Sequence, residues 1–229
     1  QTPGTFPDLA NLHLDKAIGL CASVMENRSD GWLSTEETRS LLGFMGMPLA
    51  RGGVAQAADA AAELAANIGF PVAAKLASRT ILHKTECGGV ALHLGGEQSV
   101  RQAFARILDA TRAHAGDAEG AFDGVLIQPM IAGGVEVMVG VTQDPLFGPL
   151  AAFGLGGIHV EILKDVVFRV MPLTDRDVDE MVRSIRGFAL LTGYRGHPAA
   201  DLDAVRDLLL RVSRLVDEVP QVAEIDLNP

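Results

Sequence analysis

The sequence predicts a mixed α/β chain of the α+β kind, folded as two lobes that divide near residue 121. Three observations carry that expectation. Segments with helical spacing of apolar residues are interspersed with short apolar runs of strand length, so both element types are present. Their order does not follow a strict strand–helix–strand alternation. From Gly124 onward, strand-like runs succeed one another across the turn pairs Asp144-Pro145 and Gly148-Pro149, which is a hairpin pattern.

Taken in order, residues 1–12 are rich in Pro and Gly and read as a loop or tether, and residues 1–30 as a linker with an N-terminal helix. Leu14 to Met25 has helical spacing. Ser34-Thr35-Glu36-Glu37 is a capping box, with Ser34 as N-cap and Glu37 three residues on. It opens a helix through Leu41, Leu42 and Met45 that stops at Gly46-Met47-Pro48. Leu49-Ala50 is a short strand candidate. Ala57 to Ile68 is Ala-rich and helical, closed by Gly69. Val72 to Leu76 is a strand apolar enough to be buried on both faces. Val90 to Leu94 is the next strand, and Glu97 to His114 a helix with Val100, Phe104, Ile107, Leu108 and Thr111 on one face. Strands are expected over 124–130, 134–141, 150–153 and 166–170. Asp175 to Phe188 is a helix capped by Thr174, Asp201 to Val219 a second one, and Ala223 to Pro229 a last strand. The lobes are therefore 31–121 and 122–229.

Composition narrows the function. The 229 residues suffice for one large domain or two small ones. Hydrophobic residues at 48% and charged residues at 21% mark a globular chain. No apolar run approaches the roughly 18 residues of a membrane span. A net charge of −10 argues against a general nucleic-acid binder but not against a small anion met by a few local cations. Two cysteines, Cys21 and Cys87, are too few for a disulfide framework and fit a reduced, cytoplasmic setting. There is no signal-peptide pattern and no initiator Met, so a piece of a longer polypeptide is expected.

The chemistry concentrates in residues 70–90. There are 15 Arg and only four Lys in the chain, and two of the four, Lys75 and Lys84, sit in this stretch. A chain that solves its surface with Arg but keeps Lys here points to a compact point charge, as phosphate binding uses. An ordinary strand with an exposed Lys and a hairpin turn accounts for the same residues. His83, in the loop, is a candidate phosphoryl acceptor or general base, with Glu86 placed to orient it. Cys87, His83 and His93 lack the matched spacing of a zinc site. Gly154-Leu155-Gly156-Gly157 either cradles phosphates or makes a plain turn; no Gly-x-x-x-x-Gly-Lys-Ser/Thr run is present, so this is not a P-loop. Glu136 stands in an otherwise apolar run, where a buried carboxylate needs ribose hydroxyls or an Arg as partner. Asp226 and Asn228, two residues apart on a strand, point the same way and offer oxygen ligands suited to Mg²⁺, or form a solvated edge.

Together these phrases resemble one family: the ATP-grasp domain of NDP-forming acyl-CoA synthetases, including the ADP-forming acetyl-CoA synthetase β subunit and its fused relatives. The matching runs are Phe70 to Lys75, Ile81 to Val90, Val125 to Met130, Gly134 to Pro149, Phe153 to Arg169 and Glu224 to Pro229. The resemblance implies an ATP-grasp fold with ATP or ADP held between two lobes. It implies that Lys75, with Ser78, meets the phosphates, that Gln128 and the backbone of Pro129 and Met130 form the adenine hinge, and that Glu136 faces the ribose. It also implies that Gly156, Gly157, Glu161, Lys164 and Arg169 lie near the phosphates, and that Asp226 and Asn228 carry Mg²⁺. His83, beside Lys84, is implied to be a second phosphohistidine that relays phosphate between the nucleotide and an acyl phosphate site in a partner domain.

The family pattern runs on past Pro229 into a strand with a further acidic residue, so the metal set of this stretch is expected to be incomplete. CoA-binding and acyl-CoA ligase domains are expected as partners, in the same polypeptide or another subunit. The resemblance also admits a rival of another class, the regulatory ligand-binding module of a GNAT acetyltransferase fusion. A carboxylate–amine ligase on the same fold would not require His83.

Overall fold

The computed structural model describes residues 3–157, 165–194, 196 and 198–227. The chain clusters into two units, the first made of Ser23–Gly43 and Pro48–Ala132, the second of Gln1–Ala22, Phe44–Met47 and Gly133–Pro229. Helix α1 (Leu14–Asn27) runs through the first division between them.

In the first unit, α2 (Thr35–Phe44) begins where the capping box sets it. The Ser34 amide donates to Glu37 Oε2 (2.8 Å) and the Glu37 amide to Ser34 Oγ (3.3 Å). Then come β1 (Gly53–Ala55), α3 (Ala58–Ile68), β2 (Val72–Ala77), β3 (Val90–Leu94), α4 (Glu97–Ala115) and β4 (Gly124–Pro129). The strands form one antiparallel sheet in the order β1-β4-β2-β3. Alternate residues of the central strands, Val72, Ala74 and Leu76 with Val125 and Ile127, form a core with Ala61 and Ala65 of α3 and with Val100, Phe104 and Ile107 of α4. The intervening residues Ala73, Lys75, Leu126 and Gln128 therefore lie on the face without these helices.

Two expectations change here. The short strand is at Gly53–Ala55, not Leu49-Ala50, because Arg39 Nη2 donates to the carbonyls of Ala50 (3.1 Å) and Gly52 (3.2 Å) and holds that segment outside the sheet. Gly52 then passes over the Ile127 carbonyl with φ +145°, where any Cβ would collide. The division expected near residue 121 falls instead at Ala132, because β4 is a central strand of the first sheet and carries the chain out of it.

The second unit holds β5 (Val137–Asp144), β6 (Gly148–Leu155), β7 (Val166–Val170), α5 (Asp175–Ser184), α6 (Phe188–Leu191), α7 (Leu202–Glu218) and β8 (Ile225–Leu227). Its sheet is antiparallel in the order β7-β6-β5-β8. Val139, Val141, Ala151, Phe153 and Leu155 are buried, as are Val178, Met181 and Val182 of α5 and Leu209, Val212 and Leu215 of α7.

The helix expected to reach Phe188 ends at Ser184. Buried Asp165 accepts the amides of Arg186 (2.8 Å) and Gly187 (2.7 Å), which takes those donors out of any helical ladder. The opening segment is not a free tether. The Thr5 amide and hydroxyl donate to Asp175 (2.7 and 2.8 Å), the Asp175 amide donates back to the Thr5 carbonyl (2.9 Å), and Arg211 Nη1 donates to the carbonyls of Ala10 and Met45 (2.9 Å each).

Candidate nucleotide and phosphoryl-transfer site

The first unit carries Lys75, Ser78, His83, Lys84 and Gln128 of the expected residues. Lys75 pairs with Leu126 across β2 and β4, and Ala73 with Gln128. Lys75 and Gln128 thus stand on one face as diagonal neighbours, both half-buried. The chain leaves β2 through Ser78 and returns in β3, where Val90 is again opposite Lys75. His83 lies exposed on that loop and Lys84 half-buried beside it.

The loop is held at both ends. At its start, the Ser78 hydroxyl donates to the Gly120 carbonyl (2.9 Å) and accepts the amides of Thr80 (3.2 Å) and Ile81 (2.9 Å). The hydroxyl expected to meet phosphate is thus engaged in fixing its own loop. Ile81 is buried in the core. At its close, the Lys84 carbonyl accepts from the Gly89 amide (2.7 Å) and the Cys87 thiol (3.2 Å). A Cβ on Gly89 would stand 2.8 Å from that carbonyl and 3.0 Å from Leu76 Cβ, so the turn closes only on glycine. Among the described residues no hydrogen bond or ion pair joins His83 to Glu86, so the expected orienting contact is not made.

Arg79 was passed over in the sequence. Its Nε donates to Asp123 Oδ2 (3.2 Å) and its Nη1 to Asp30 Oδ2 (3.0 Å), and its side chain is 10% exposed. Burial works against the charge, but the Asp123 hydrogen bond and the charges of Asp123, Asp30 and Glu119 hold the guanidinium pKa above its ordinary value. No sequence signal pairs residues 44 and 49 positions apart.

At the far end of β4, the Met130 amide donates to the Pro71 carbonyl (3.0 Å), and Pro129 has no N–H. The backbone of the expected hinge is therefore left with carbonyl acceptors rather than amide donors at these two residues, a match for an amino group on a base.

The second unit carries the acidic residues. Glu136 is exposed and precedes β5; it is not buried within the strand as expected. The reason is local: Gly133 (φ +78°) and Gly134 (φ +84°) keep the chain from extending until Val137. The Gly156 amide donates to the Glu136 carbonyl (2.7 Å), and the Glu136 carboxylate occupies the space where a Cβ on Gly157 (φ +60°) would stand. The glycine pair and Glu136 thus form one group. Asp226 pairs with Gly140, which pairs in turn with Ala152 and then Phe168. By the strand alternation Asp226 shares a face with Phe168, while Arg169, opposite Ala151, shares the face of buried Val141 and Ala151. Arg169 and Asp226 are therefore on opposite faces, and the Arg169 guanidinium donates to the Phe168 carbonyl (3.0 Å). Glu161, Lys164 and Asn228 lie outside the described residues. Among the described residues no group of three or more His, Cys, Asp or Glu could enclose a metal ion.

The first unit thus offers a sheet face with a lysine beside a strand-end glutamine and a histidine loop leaving the same strand, and the second a glycine pair under a carboxylate. Residues 24–229 match the family described as ATP-grasp domain, and the chain belongs to that family. More narrowly, it is homologous to the ATP-grasp part of ADP-forming acetyl-CoA synthetases. It is 42% identical over 215 residues to the ADP-forming acetate–CoA ligase I of Archaeoglobus fulgidus, covering 94% of this chain and 31% of that protein. It is 40% identical over 204 residues to the β subunit of ADP-forming acetate–CoA ligase I of Pyrococcus furiosus, covering 89% of this chain and 86% of that subunit. The dinucleotide-forming acetyl-coenzyme A synthetase 1 of Ca. Korarchaeum cryptofilum, in complex with coenzyme A, Ca-AMPCP and HgCl+, matches with a TM-score of 0.85 at 36% identity, over 93% of this chain and 92% of that one. The same synthetase with coenzyme A and Mg-AMPPCP, its phosphohistidine segment pointing towards the nucleotide-binding site, matches with a TM-score of 0.74 at 34% identity, over 93% and 91% of the two chains. The chain thus spans about a third of the single-chain ligase and most of the separate β subunit. Among the described residues no helix is long and apolar enough to cross a membrane.

Proposed function

We propose that this chain is the ATP-binding, phosphoryl-transferring part of an ADP-forming acyl-CoA synthetase, an acid–thiol ligase whose CoA-binding and acyl-handling domains lie elsewhere in the polypeptide or in a partner subunit. The observation that carries the reading is the shared face of Lys75 and Gln128 together with an exposed His83 on the loop leaving the same strand. Lys75 neutralises phosphate charge, and its half-buried position strengthens that interaction relative to open water. Gln128 and the carbonyls of Pro129 and Met130 receive the base. Glu136, over Gly156 and Gly157, is exposed and so has carboxylate oxygens to offer the ribose. Asp226 supplies one oxygen ligand for Mg²⁺, with phosphate oxygens, water and Asn228 as the others, in keeping with the hard-cation preference for oxygen. Glu161 and Lys164 would act beside the phosphates. Arg169, facing the buried side, is assigned a packing role.

His83 is the phosphoryl acceptor in this reading. Its ring nitrogen lone pair attacks the γ-phosphorus, the bond to the bridging oxygen breaks with its electron pair leaving on ADP, and a ring proton passes to solvent. Mg²⁺ supplies charge neutralisation of the phosphates when bound. Lys84 adds positive charge next to the acceptor. The reverse step returns the phosphoryl group to ADP, which suits a relay to an acyl phosphate site. The relatives named above are ligases and a ligase subunit, which favours this reading over the acetyltransferase-fused regulatory module. We place the reaction in the cytoplasm, where the free thiols of Cys21 and Cys87 stay reduced.

The test is a calorimetric titration with ATP and ADP, with and without Mg²⁺, followed by labelling with γ-labelled ATP. Lys75→Ala should weaken nucleotide binding by about 10- to 100-fold, the worth of a charged hydrogen bond. His83→Ala should keep the affinity and lose the acid-labile label. Unchanged affinity in Lys75→Ala, or label that survives His83→Ala, would overturn the assignment.

A further inference from the structure

We propose that Arg79 is a positioning residue for His83: its two-carboxylate clamp fixes the base of the phosphoryl-acceptor loop. The inference rests on the reading of His83 as acceptor and adds a residue to that site. The loop departs from β2 at Ser78, and only three residues separate Arg79 from His83. Two segments of the first unit converge on Arg79. Asp123, just before β4, takes Nε, and Asp30, between α1 and α2, takes Nη1. Gly120, in the connection from α4 to β4, accepts the Arg79 amide through its carbonyl (2.9 Å). The same carbonyl accepts the Ser78 hydroxyl (2.9 Å), so two successive residues of the loop base are tied to one point. A Cβ on Gly120 (φ +76°) would stand 3.2 Å from the Arg79 guanidinium, so the clamp is packed as well as bonded.

The arrangement is more than a surface ion pair. Exposed pairs contribute little, but this guanidinium is largely buried and meets two carboxylates from separate segments in its planar fork. Among the described residues, none of its partners touches Lys75 or Gln128 through a hydrogen bond, so the clamp acts on the acceptor and not on the nucleotide-binding face. Phosphoryl transfer depends steeply on the placement of the attacking atom, and an error of about 1 Å costs on the order of 100-fold. Ile81 in the core and the Gly89 turn fix the other parts of the loop, and Arg79 works beside the Ser78 hydroxyl in setting the direction of its base.

The experiment is a single-turnover measurement of acid-labile labelling from Mg²⁺ and γ-labelled ATP on the whole chain, beside ATP affinity and the thermal unfolding midpoint, for wild type, Arg79→Ala, Arg79→Lys and Asp30→Asn. Arg79→Ala should label about 10- to 100-fold more slowly with ATP affinity within about twofold of wild type. Arg79→Lys, which meets one carboxylate at a time, should recover part of the rate, and Asp30→Asn should fall between Lys and wild type. A wild-type rate in Arg79→Ala, or a loss that follows the drop in ATP affinity or in folded fraction, would overturn the proposal. If Arg79→Ala does not fold, Asp30→Asn decides by the same criterion: slower labelling at unchanged affinity supports the clamp, and an unchanged rate overturns it. Absence of label in wild type removes the acceptor reading and this inference with it. Label in wild type with no effect at Arg79 removes the inference alone.

Discussion

Loop 78–89 of the first unit follows a strand and the run Gly154–Gly157 of the second ends one, and both close on a glycine pair, yet they are built in opposite ways. The first is held by side chains: Ser78, Arg79 and Ile81 each reach a different partner, and glycine is needed chiefly where the turn closes. The second is held by close approach: a Cβ at Gly154 would collide with the Asp165 carbonyl, and one at Gly157 with the Glu136 carboxylate. The charges differ too. The first sheet face presents Lys75 and the second Asp226, so one suits anionic phosphate and the other a cation that phosphate brings with it. In the proposed function a nucleotide with its metal uses both kinds of surface, and the chain carries them on separate sheets.

If the two units are independent in packing, damage to one core should stay there. Phe153→Ala removes a fully buried ring from the second sheet and should cost about 3–5 kcal/mol. Hydrogen exchange should then rise over β5, β6 and β7 with smaller change in β2 and β4. Equal loss of protection in both sheets would break the comparison and show one cooperative fold.

The two glycine turns can be set against each other directly. Gly89→Ala forces a Cβ against backbone at Lys84 and against Leu76, neither able to yield, and should cost about 1–3 kcal/mol while slowing the labelling of His83. Gly157→Ala puts a side chain at φ +60° and displaces only the exposed Glu136 carboxylate, for about 1–2 kcal/mol. Thermal unfolding and nucleotide titration of the pair would check this, with the Gly157 variant losing affinity and keeping its labelling rate at saturating ATP. A Gly157 variant that slowed labelling as strongly as the Gly89 variant would erase the distinction between a loop that aims the acceptor and a loop that approaches the nucleotide.

What the sequence made legible, and what it did not, follows the range of the interactions. The capping boxes at Ser34 and Thr174 were readable because both partners sit within one turn, and the Thr174 amide does donate to Asp177 Oδ2 (2.9 Å). The apolar alternation of β2 and β4 put Lys75 and Gln128 on strands, but only the register puts them on one face. Glu136 was misread because the apolar run suggested strand from Gly134 onward, whereas two glycines of positive φ delay it to Val137. Asp165 was missed because a single acid before an apolar run carries no periodic signal, and its partners lie 21 and 22 residues away. Arg169 lies on a strand the sequence does predict, 166–170, but which of its faces is buried depends on β6 and on helices that only the folded chain brings together.

The smallest expected effect lies on the helices of the second unit. Asp179 of α5 accepts from Arg183 (2.8 Å) and from Arg206 of α7, and these bonds, Arg183 first, hold its pKa below the ordinary carboxylate value despite some opposing burial. A carboxylate with a depressed folded-state pKa binds its proton more readily when unfolded. Its stabilising contribution is therefore complete above the unfolded value of roughly 4 and is lost as pH falls through the folded one. Asp179 is 41% exposed, so solvent and salt reduce the gain to below about 1 kcal/mol. The denaturation midpoint should be insensitive to this group from pH 7 to 5 and decline below about 4. Asp179→Asn should lower the midpoint slightly at pH 7 and converge on wild type in acid, with the difference shrinking at high salt. The variant would leave Arg206 with Asp203 as its remaining carboxylate while its Nε stays buried without a partner among the described residues. A midpoint difference that persisted undiminished at pH 3 would therefore assign the effect to that guanidinium's packing between α5 and α7, and not to the charge on Asp179.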